Sequence, residues 1–276
     1  MILLYADLHI HTTASDGSDT PGEVVKKALR LGLRAIAISD HDTLSGVTEA
    51  QQAATGFRLE VLSGVEVNTY FQGNEVHVLG YLIDPRNDEF VTKLEEFQGE
   101  RLERTKKMVA KLRELDINID LDRVLELSAG GSVGRPHVAQ ALLEKGYVSS
   151  LQEAFATYIG AGKPAFVPRE KLTPVEAIQL IIRAEGVPVL AHPGLVKLDP
   201  FLTDLIEAGL KGIEVWHRNH TPLMVDHYYH LAQKYHLIPT GGSDYHGVGH
   251  DTCNILGGAV APYQSVQLLK AAAGKN

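Results

Sequence analysis

Short apolar runs rich in β-branched residues alternate with helix-like segments towards both ends of the 276-residue chain. The runs are ILLYADL, LRAIAIS, RLEVLSGVEV, EVHVLGYLI, GVPVLAH, GIEVWH, LIPTGGSD and NILGGAV. Because strands separated by helices usually pair in parallel, this alternation predicts an α/β fold built on a parallel sheet, open or closed. Helix-start signals agree, since a capping pattern of Thr, Pro and Glu begins at Thr20 and again at Thr173.

The middle of the chain has a different character. Strand patterns almost disappear there, and EFVTKLEEFQGERLERTKKMVAKLRELD, LDRVLELSA, RPHVAQALLEKG and LQEAFATYI have the periodicity of amphipathic helices. This predicts a helical insertion within one α/β domain. We therefore expect a first α/β part at 1–87, a helical insertion at 88–166 and a second α/β part at 167–276.

The net charge and the cysteine content limit the binding partners and the kinds of metal site that we expect. The formal net charge is -8 and there is no dense Lys/Arg block, so duplex nucleic acid is not an expected partner. The single cysteine, Cys253, excludes a thiolate metal cluster and an internal disulfide. No apolar run approaches the roughly 18 residues of a membrane span, and the start lacks a basic leader region. We expect a cytoplasmic protein without a membrane partner.

Histidine and carboxylate side chains gather where predicted strands end. His9 and His11 project from the same face of the first strand, because residues two apart on a strand share a face. Later predicted strands lead to Asp40, His41, Asp42, Glu66, His77, His192, Asp244 and His246. This rim is where parallel α/β folds assemble their sites. Imidazole with carboxylate and no sulfur suits Mn, Zn or Fe, and so many donors predict two or three ions.

The motifs DLHIHTTASDG, ISDHDTLSG, GVEVN, HVLGY, AHPG and GSDYH occur in this order. Together they resemble the PHP (polymerase and histidinol phosphatase) superfamily, in particular its stand-alone metal-dependent phosphoesterases. The resemblance covers essentially the whole chain, including GRPHVAQALLEKGYV and GKPAFVP in and after the helical segment. It implies a distorted (β/α)7 barrel in which the helical insertion caps a trinuclear metal site.

The resemblance also implies how the ligands divide among the ions. One ion would be held by His9, His11, Glu66 and Asp244. Glu66 would bridge to a second ion held with His77 and His192. The third would be held by Asp16, His41 and His246, although many relatives have His at the position of Asp16. We expect manganese, with Zn, Fe or Mg as alternatives.

The expected chemistry is metal-assisted hydrolysis. A bridging carboxylate can keep two ions about 3.5 to 4 Å apart, which suits a bridging hydroxide that attacks phosphorus, so no side-chain nucleophile is needed. Three divalent ions, about +6 in all, outweigh three ligand carboxylates and make the pocket cationic. We expect catalysis to involve Asp16, His41, His192, His246, Arg135 and His220.

Five side chains are predicted to bind the substrate: Arg135, His137, Lys163, His217 and His220. Arg135 opens an inserted helix, and a guanidinium grips phosphate bidentately; an ordinary surface arginine is the alternative. Lys163 lies in a Gly/Pro loop, where a solvated lysine is an equal alternative. His220 would contact phosphate or donate a proton to the leaving group.

The remaining polar and aromatic candidates have plainer interpretations. Asp40 and Asp42 are expected to orient His41, and Glu214 is expected to support the site or belong to the core. His227, His230, His236 and His250 are expected on the surface. Packing roles are expected for Trp216, Tyr228 and Tyr229.

The family resemblance implies a small phosphorylated substrate, such as a nucleotide or short RNA. Its nearest subgroup implies a nucleoside 3',5'-bisphosphate phosphatase or a 5'-3' oligoribonuclease. These activities share a site, because a 5'-phosphate held by Arg135 would place the next phosphate over the metals. The alternatives are a histidinol-phosphate or phosphotyrosine-protein phosphatase, and a non-catalytic metal-binding PHP scaffold.

Overall fold

A computed structural model describes residues 4–128, 130–168, 172–196, 198–247 and 255–275. Its strands are β1 (Tyr5–Ile10), β2 (Ala35–Ile38), β3 (Glu60–Phe71), β4 (Asn74–Tyr81), β5 (Val187–Leu190), β6 (Gly212–His217), β7 (Ile238–Gly242) and β8 (Ala261–Pro262). Its α-helices are α1 (Pro21–Leu31), α2 (Ser45–Ala53), α3 (Asp88–Glu114), α4 (Leu121–Leu127), α5 (Arg135–Glu144), α6 (Leu151–Ala154), α7 (Pro174–Arg183), α8 (Leu202–Glu207), α9 (Pro222–Lys234) and α10 (Gln264–Ala272). A π-helical turn spans Phe155–Ile159, and 3-10 turns span Pro193–Leu195 and Asp199–Phe201. His250 and Cys253 lie outside the described residues.

One eight-stranded sheet organises the fold, in the order β7-β6-β5-β4-β3-β2-β1-β8. Strands β1, β2 and β3 pair in parallel, and so do β5, β6 and β7. The sheet curls until β7 approaches β1: just beyond β7, the carbonyl of Tyr245 accepts a hydrogen bond from the His11 N–H at 2.8 Å. The result is a nearly closed barrel, which confirms the predicted α/β barrel class.

Strand β4 departs from the predicted parallel arrangement. It pairs antiparallel with both β3 and β5. Only Gln72 and Gly73 separate β3 from β4, and both have positive φ, at 47° and 86°. A two-residue connection can join antiparallel strands only, because a parallel pair needs a long crossover. The predicted parallel pairing was therefore wrong at this strand.

The last predicted strand, NILGGAV at 254–260, is also wrong, because none of its described residues belongs to a strand. Residues 256–259 form turns and bends, and the Gly257 backbone has φ of 74°. Only Ala261 and Pro262 pair with the barrel, as β8, antiparallel to β1. Consecutive glycines disfavour a strand, because they lose the most backbone freedom and offer no side chain to pack.

The barrel interior is filled by alternate strand residues. The hydroxyl of Tyr81 on β4 donates a hydrogen bond to the Leu8 carbonyl on β1 at 2.8 Å. Since β1 and β4 are not neighbours in the sheet, this bond crosses the interior. The same buried cluster contains Ala6, Leu8, Ala37, Leu62, Leu79, Tyr81 and Val189, with Val266 and Leu269 of α10. Side chains on the opposite strand faces pack beneath the surrounding helices.

The middle of the chain is helical, as predicted, and runs from α3 through the π-helical turn. Its helices share a buried cluster of their own, which includes Met108, Leu112, Val124, Val138, Leu142, Ala154 and Ile159. The limits 88 and 166 stay a prediction. In the part of the chain that the structure describes, no helix combines the length and apolar character needed to cross a membrane.

Candidate metal centre

The end of β1 brings His9 and His11 to fully buried positions. His9 Nε2 lies 3.4 Å from Glu66 Oε1, and His11 Nε2 lies 3.3 Å from Glu66 Oε2. Asp244 follows β7, and its Oδ1 lies 3.5 Å from His9 Nε2 and 3.3 Å from His11 Nε2. Two imidazoles from one strand therefore face two carboxylates from different parts of the barrel.

Glu66 contacts three further imidazoles. Its Oε2 lies 2.9 Å from His41 Nδ1, and its Oε1 lies 2.7 Å from His77 Nδ1 and 3.0 Å from His192 Nε2. The side chain is 1% exposed, so no bulk water competes for these contacts. A single buried carboxylate thus touches ligands predicted for different ions.

Asp16 is a second carboxylate that lies near several imidazoles of the centre. Its Oδ1 lies 3.4 Å from His246 Nε2, and its Oδ2 lies 3.7 Å from His41 Nε2. All nine predicted ligands fall into four groups whose donor atoms lie within 4.8 Å of one another: His11, Asp16, His41 and His246; His9, His11 and Asp244; His9, Glu66 and His192; and His41, Glu66 and His77. The structure therefore brings together every side chain that the sequence analysis chose as a ligand.

Two of these ligands do not follow strand ends. Glu66 lies in the middle of β3, because β3 continues to Phe71 in order to pair with β4. His77 lies in the first half of β4, and the reversed direction of that strand brings it to the same rim. The rule that ligands follow strand ends was wrong at these positions, although the residues themselves reach the centre.

Three non-glycine residues at or beside the site have strained backbone conformations. Asp42, His192 and Asp244 have φ of 51°, 26° and 50°, in the left-handed region that non-glycine residues rarely adopt. Such conformations cost about 1 to 3 kcal/mol each and persist only where the surroundings enforce them. At His192 the enforcing contact is Glu214, whose Oε2 accepts the His192 backbone N–H at 2.7 Å.

The charges of the centre are strongly coupled. Burial opposes the ionised form of Glu66, yet His77, His41 and His9 hold the pKa of this carboxyl well below its usual range. Burial lowers the pKa of His11 to about 3, and the neighbouring His246 and His41 act in the same direction. A neutral His11 keeps a lone pair for a cation, which is the form that metals bind.

Several buried ring nitrogens that could bind a metal ion lack a hydrogen-bond partner among the described residues. They include His9 Nε2, both ring nitrogens of His11 and His192 Nδ1. A buried polar atom without a partner costs about 1 to 3 kcal/mol. Imidazoles and carboxylates without sulfur suit divalent ions such as Mn, Zn or Fe, so these residues fit a metal centre. Such ions, when bound, polarise phosphoryl oxygens and make water more acidic.

The two aspartates beside His41 bind other parts of the molecule. Asp40 accepts hydrogen bonds from the Thr12 N–H at 2.7 Å and the Ser15 hydroxyl at 2.6 Å. It therefore holds the loop after β1, and the prediction that it orients His41 was wrong because its oxygens face that loop. Asp42 accepts a hydrogen bond from Arg101 Nε at 2.5 Å.

A cavity of about 590 Å³ adjoins the metal-binding groups through His246. Lys163 and Arg218 supply cationic side chains to its wall, and Leu151 and Phe155 supply apolar ones. The cavity lies between the end of β6, which Arg218 follows, and the α5–α6 part of the helical segment. The helical segment therefore forms one wall of this cavity.

Arg135 is less available than predicted. Its Nη2 forms an ion pair with Glu75, which also binds Arg104 at 3.1 Å. The Arg135 Cζ atom lies 5.4 Å from the centre of the Phe155 ring. Arg135 thus lies beside the cavity wall with part of its charge balanced by Glu75.

The three histidines predicted to bind substrate differ in what their rings offer. His137 Nδ1 accepts the Gly134 N–H at 3.0 Å, and His217 Nδ1 accepts the Asn219 N–H at 3.2 Å. Each ring, when neutral, therefore carries its proton on Nε2.

His220 differs because the backbone occupies both of its ring nitrogens. Nε2 accepts the Gly194 N–H at 3.1 Å, and Nδ1 donates to the Val215 carbonyl at 2.8 Å. These two hydrogen bonds hold the turn after His192 against β6. The predicted phosphate or leaving-group contact was wrong for this geometry, because no nitrogen is left to make it.

Two arginines near the site were not predicted from the sequence. Arg218 lies immediately after β6 and lines the cavity, so its place after a strand end was the available signal. Arg101 lies within the long helix α3 and is 7% exposed, and no local pattern distinguishes it from its neighbours. Of the predicted surface histidines, His227, His230 and His236 are exposed, as expected.

Comparison with known protein families identifies the family of this chain. The model of the PHP domain family matches residues 7–165, which is more than half of the chain. The chain belongs to the PHP domain family. This confirms the resemblance drawn from the six sequence motifs.

Curated relatives of this PHP domain protein are named for reactions at phosphoester bonds. The phosphoribosyl 1,2-cyclic phosphate 1,2-diphosphodiesterase of Eggerthella lenta is 34% identical, over 87% of this chain and 94% of its own. The 5'-3' exoribonuclease Rnm of Escherichia coli is 33% identical, over 87% and 84%. The 3',5'-nucleoside bisphosphate phosphatase of Chromobacterium violaceum is 31% identical, over 88% and 87%.

Solved structures agree with these relatives. A Bifidobacterium adolescentis protein assigned to the metal-dependent phosphoesterases matches with a TM-score of 0.90 at 34% identity, over 97% of this chain and 96% of its own. The family, the relatives and the clustered donors together show that this PHP domain protein is a metal-dependent phosphoesterase that uses divalent ions.

Proposed function

We propose that this phosphoesterase removes a phosphate from nucleoside 3',5'-bisphosphates and cleaves short RNA stepwise from its 5' end. The cavity beside His246 carries the proposal, because Lys163 and Arg218 suit phosphate while Leu151 and Phe155 suit a nucleoside. A volume of about 590 Å³ is within the range of small-molecule sites. Relatives named as a nucleoside bisphosphate phosphatase and an exoribonuclease support the choice.

We propose that two or three divalent ions, with manganese preferred, are held by the nine clustered ligands. Glu66 is the proposed bridge, because its two oxygens contact imidazoles on both sides. Asp16 with His41 and His246 is the proposed site nearest the cavity, since His246 belongs to both. The four donor groups overlap, as expected for ions that share ligands.

The protein's own side chains would hold and orient the phosphates. Arg101 is a candidate near the ions, because its charge acts on His41, Asp42 fixes its Nε and, among the described residues, its buried Nη2 has no hydrogen-bond partner. Lys163 and Arg218 would bind the phosphate farther from the ions. His137 would donate from Nε2 to a substrate oxygen, since the backbone occupies its other nitrogen. The buried His217 Nε2 lies 3.4 Å from Asp244 Oδ2 and would instead orient that carboxylate.

Turnover with added Mn²⁺ tests the proposal directly, measured as released inorganic phosphate and, for RNA, as released nucleoside 5'-monophosphate. Adenosine 3',5'-bisphosphate, a 5'-phosphorylated RNA trinucleotide, phosphoribosyl 1,2-cyclic phosphate, histidinol phosphate and a phosphotyrosine peptide form the substrate panel. We expect turnover of the first two, and its loss together with bound metal in His9→Ala and Glu66→Ala. His227→Ala, an exposed histidine, is the matched control.

Other outcomes of the panel have distinct meanings. Preference for histidinol phosphate or the peptide would replace the nucleotide assignment with one of the two alternative phosphatases. Preference for the cyclic phosphate would place the chain functionally with its Eggerthella lenta relative. If metal-loaded protein releases phosphate from none of the panel, the phosphatase proposal for these substrates fails.

A further inference from the structure

An unusual turn shapes the wall of the cavity. Phe155–Ile159 form a π-helical turn, a geometry that is rare and often marks functional sites. The turn closes where the Gly160 N–H donates to the Phe155 carbonyl at 2.9 Å. A Cβ atom at position 160 would lie 2.3 Å from that oxygen, so the turn requires glycine there. The segment YIGAGKP therefore encodes a specific wall geometry rather than a generic loop.

The π-helical turn places an aromatic ring and a cation on one surface. Phe155 begins the turn and lines the cavity, and it is only partly buried. The Lys163 N–H donates to the Gly160 carbonyl at 3.0 Å, which folds Lys163 back to line the same cavity. The Arg135 guanidinium lies 5.4 Å from the Phe155 ring centre and supports it.

We infer that Phe155 is the base-stacking residue of the substrate pocket and selects phosphoesters that carry a nucleobase. This inference rests on the proposed nucleotide function. The cavity wall carries two cationic side chains, Lys163 and Arg218, together with His246 and the apolar Leu151 and Phe155. A phosphate bound by the cationic side chains would leave the attached nucleoside within reach of the aromatic ring. Because every base has a π face, stacking on Phe155 accepts different bases, as a general nucleotide enzyme requires.

The test compares two substrates that differ only in the base. KM and kcat are measured with adenosine 3',5'-bisphosphate and with its abasic counterpart, 1-deoxyribose 3,5-bisphosphate, in the Mn²⁺-loaded enzyme. Stacking predicts a KM for the adenosine compound about 5- to 150-fold below that of the abasic compound. Phe155→Ala should remove this difference by raising only the adenosine KM, and Phe155→Tyr should retain it.

Phe155→Leu keeps most of the apolar volume but has no aromatic ring. It provides a second test in case the alanine variant does not fold. It should lose most of the preference for the base while keeping the wild-type melting temperature and metal content. Equal KM values for the two substrates in the wild type, or equal rises for both in the variants, would overturn the stacking role and leave the phosphatase proposal standing. Failure to release phosphate from either substrate would remove the proposed function itself.

Discussion

Glu214 lies directly behind His9, with its Oε1 3.1 Å from His9 Nδ1 and both side chains fully buried. The carboxylate fixes the His9 ring so that Nε2 faces Glu66 and Asp244. Burial opposes the charge of Glu214, but His9 and other nearby imidazoles lower the pKa of its carboxyl. Glu214 therefore stays ionised and acts as a positioning residue for a metal ligand.

Replacing this carboxylate should weaken metal binding. Glu214→Gln keeps the shape but removes the charge that orients His9, and such outer contacts are typically worth about 10- to 100-fold in metal affinity. Calorimetric titration of the metal-free protein with Mn²⁺ measures the change. Asp199→Asn alters an exposed carboxylate paired with His227 and should leave the affinity unchanged. Equal affinities in the wild type and Glu214→Gln would refute the positioning role.

Arg101 should contribute to phosphate binding. Arg101→Lys keeps a positive charge opposite Asp42 but loses the forked donor geometry, so we expect KM for adenosine 3',5'-bisphosphate to rise about tenfold or more. Metal content should not change. Arg123→Lys is the matched control, because Arg123 pairs with Glu144 on an exposed surface. An unaltered KM in Arg101→Lys would mean that this guanidinium serves only to balance Asp42.

His220 should matter more for stability than for chemistry. His220→Leu leaves the Gly194 N–H and the Val215 carbonyl without their partner, which should cost about 2 kcal/mol or more of unfolding free energy. With saturating metal, KM should stay within about threefold of the wild type. Chemical denaturation and steady-state kinetics separate these effects, with exposed His230→Leu as the control. A hundredfold loss of kcat at unchanged stability would restore His220 as a proton donor.

Glu75 should make stability depend on pH. Burial raises its pKa, but Arg135 and Arg104 outweigh burial and bring the pKa from 4.5 to about 2. A pKa lowered by folding stabilises the protein above the unfolded value and ceases to do so as pH falls towards the folded value. Relative to Glu75→Gln, the wild type should therefore lose its advantage, about 3 kcal/mol at most, between about pH 4.5 and pH 2. Urea unfolding at stepped pH measures it, and an advantage independent of pH would contradict the ion-pair explanation.

Much of the site could be predicted because ligand residues follow local rules. His9 and His11 share a strand face by the period of two, and the donor types alone indicate divalent metals. Glu66 and His77 reach the cluster by a route that the strand-end rule did not predict, because the hairpin through Gln72 and Gly73 reverses β4 and carries β3 past Glu66. The substrate contacts were harder to predict, since they come from side chains far apart in sequence.

The sequence by itself determined the α/β class, the helical middle, the set of clustered donors and the family, since these depend on periodicity, residue chemistry and motif order. Only the tertiary structure decided that Glu75 engages Arg135, that the backbone consumes both nitrogens of His220, and that Arg101 reaches Asp42 from 59 residues away. Those outcomes depend on how the helices dock on the barrel. Docking is set by the packing of many distant side chains, and no local sequence pattern specifies it.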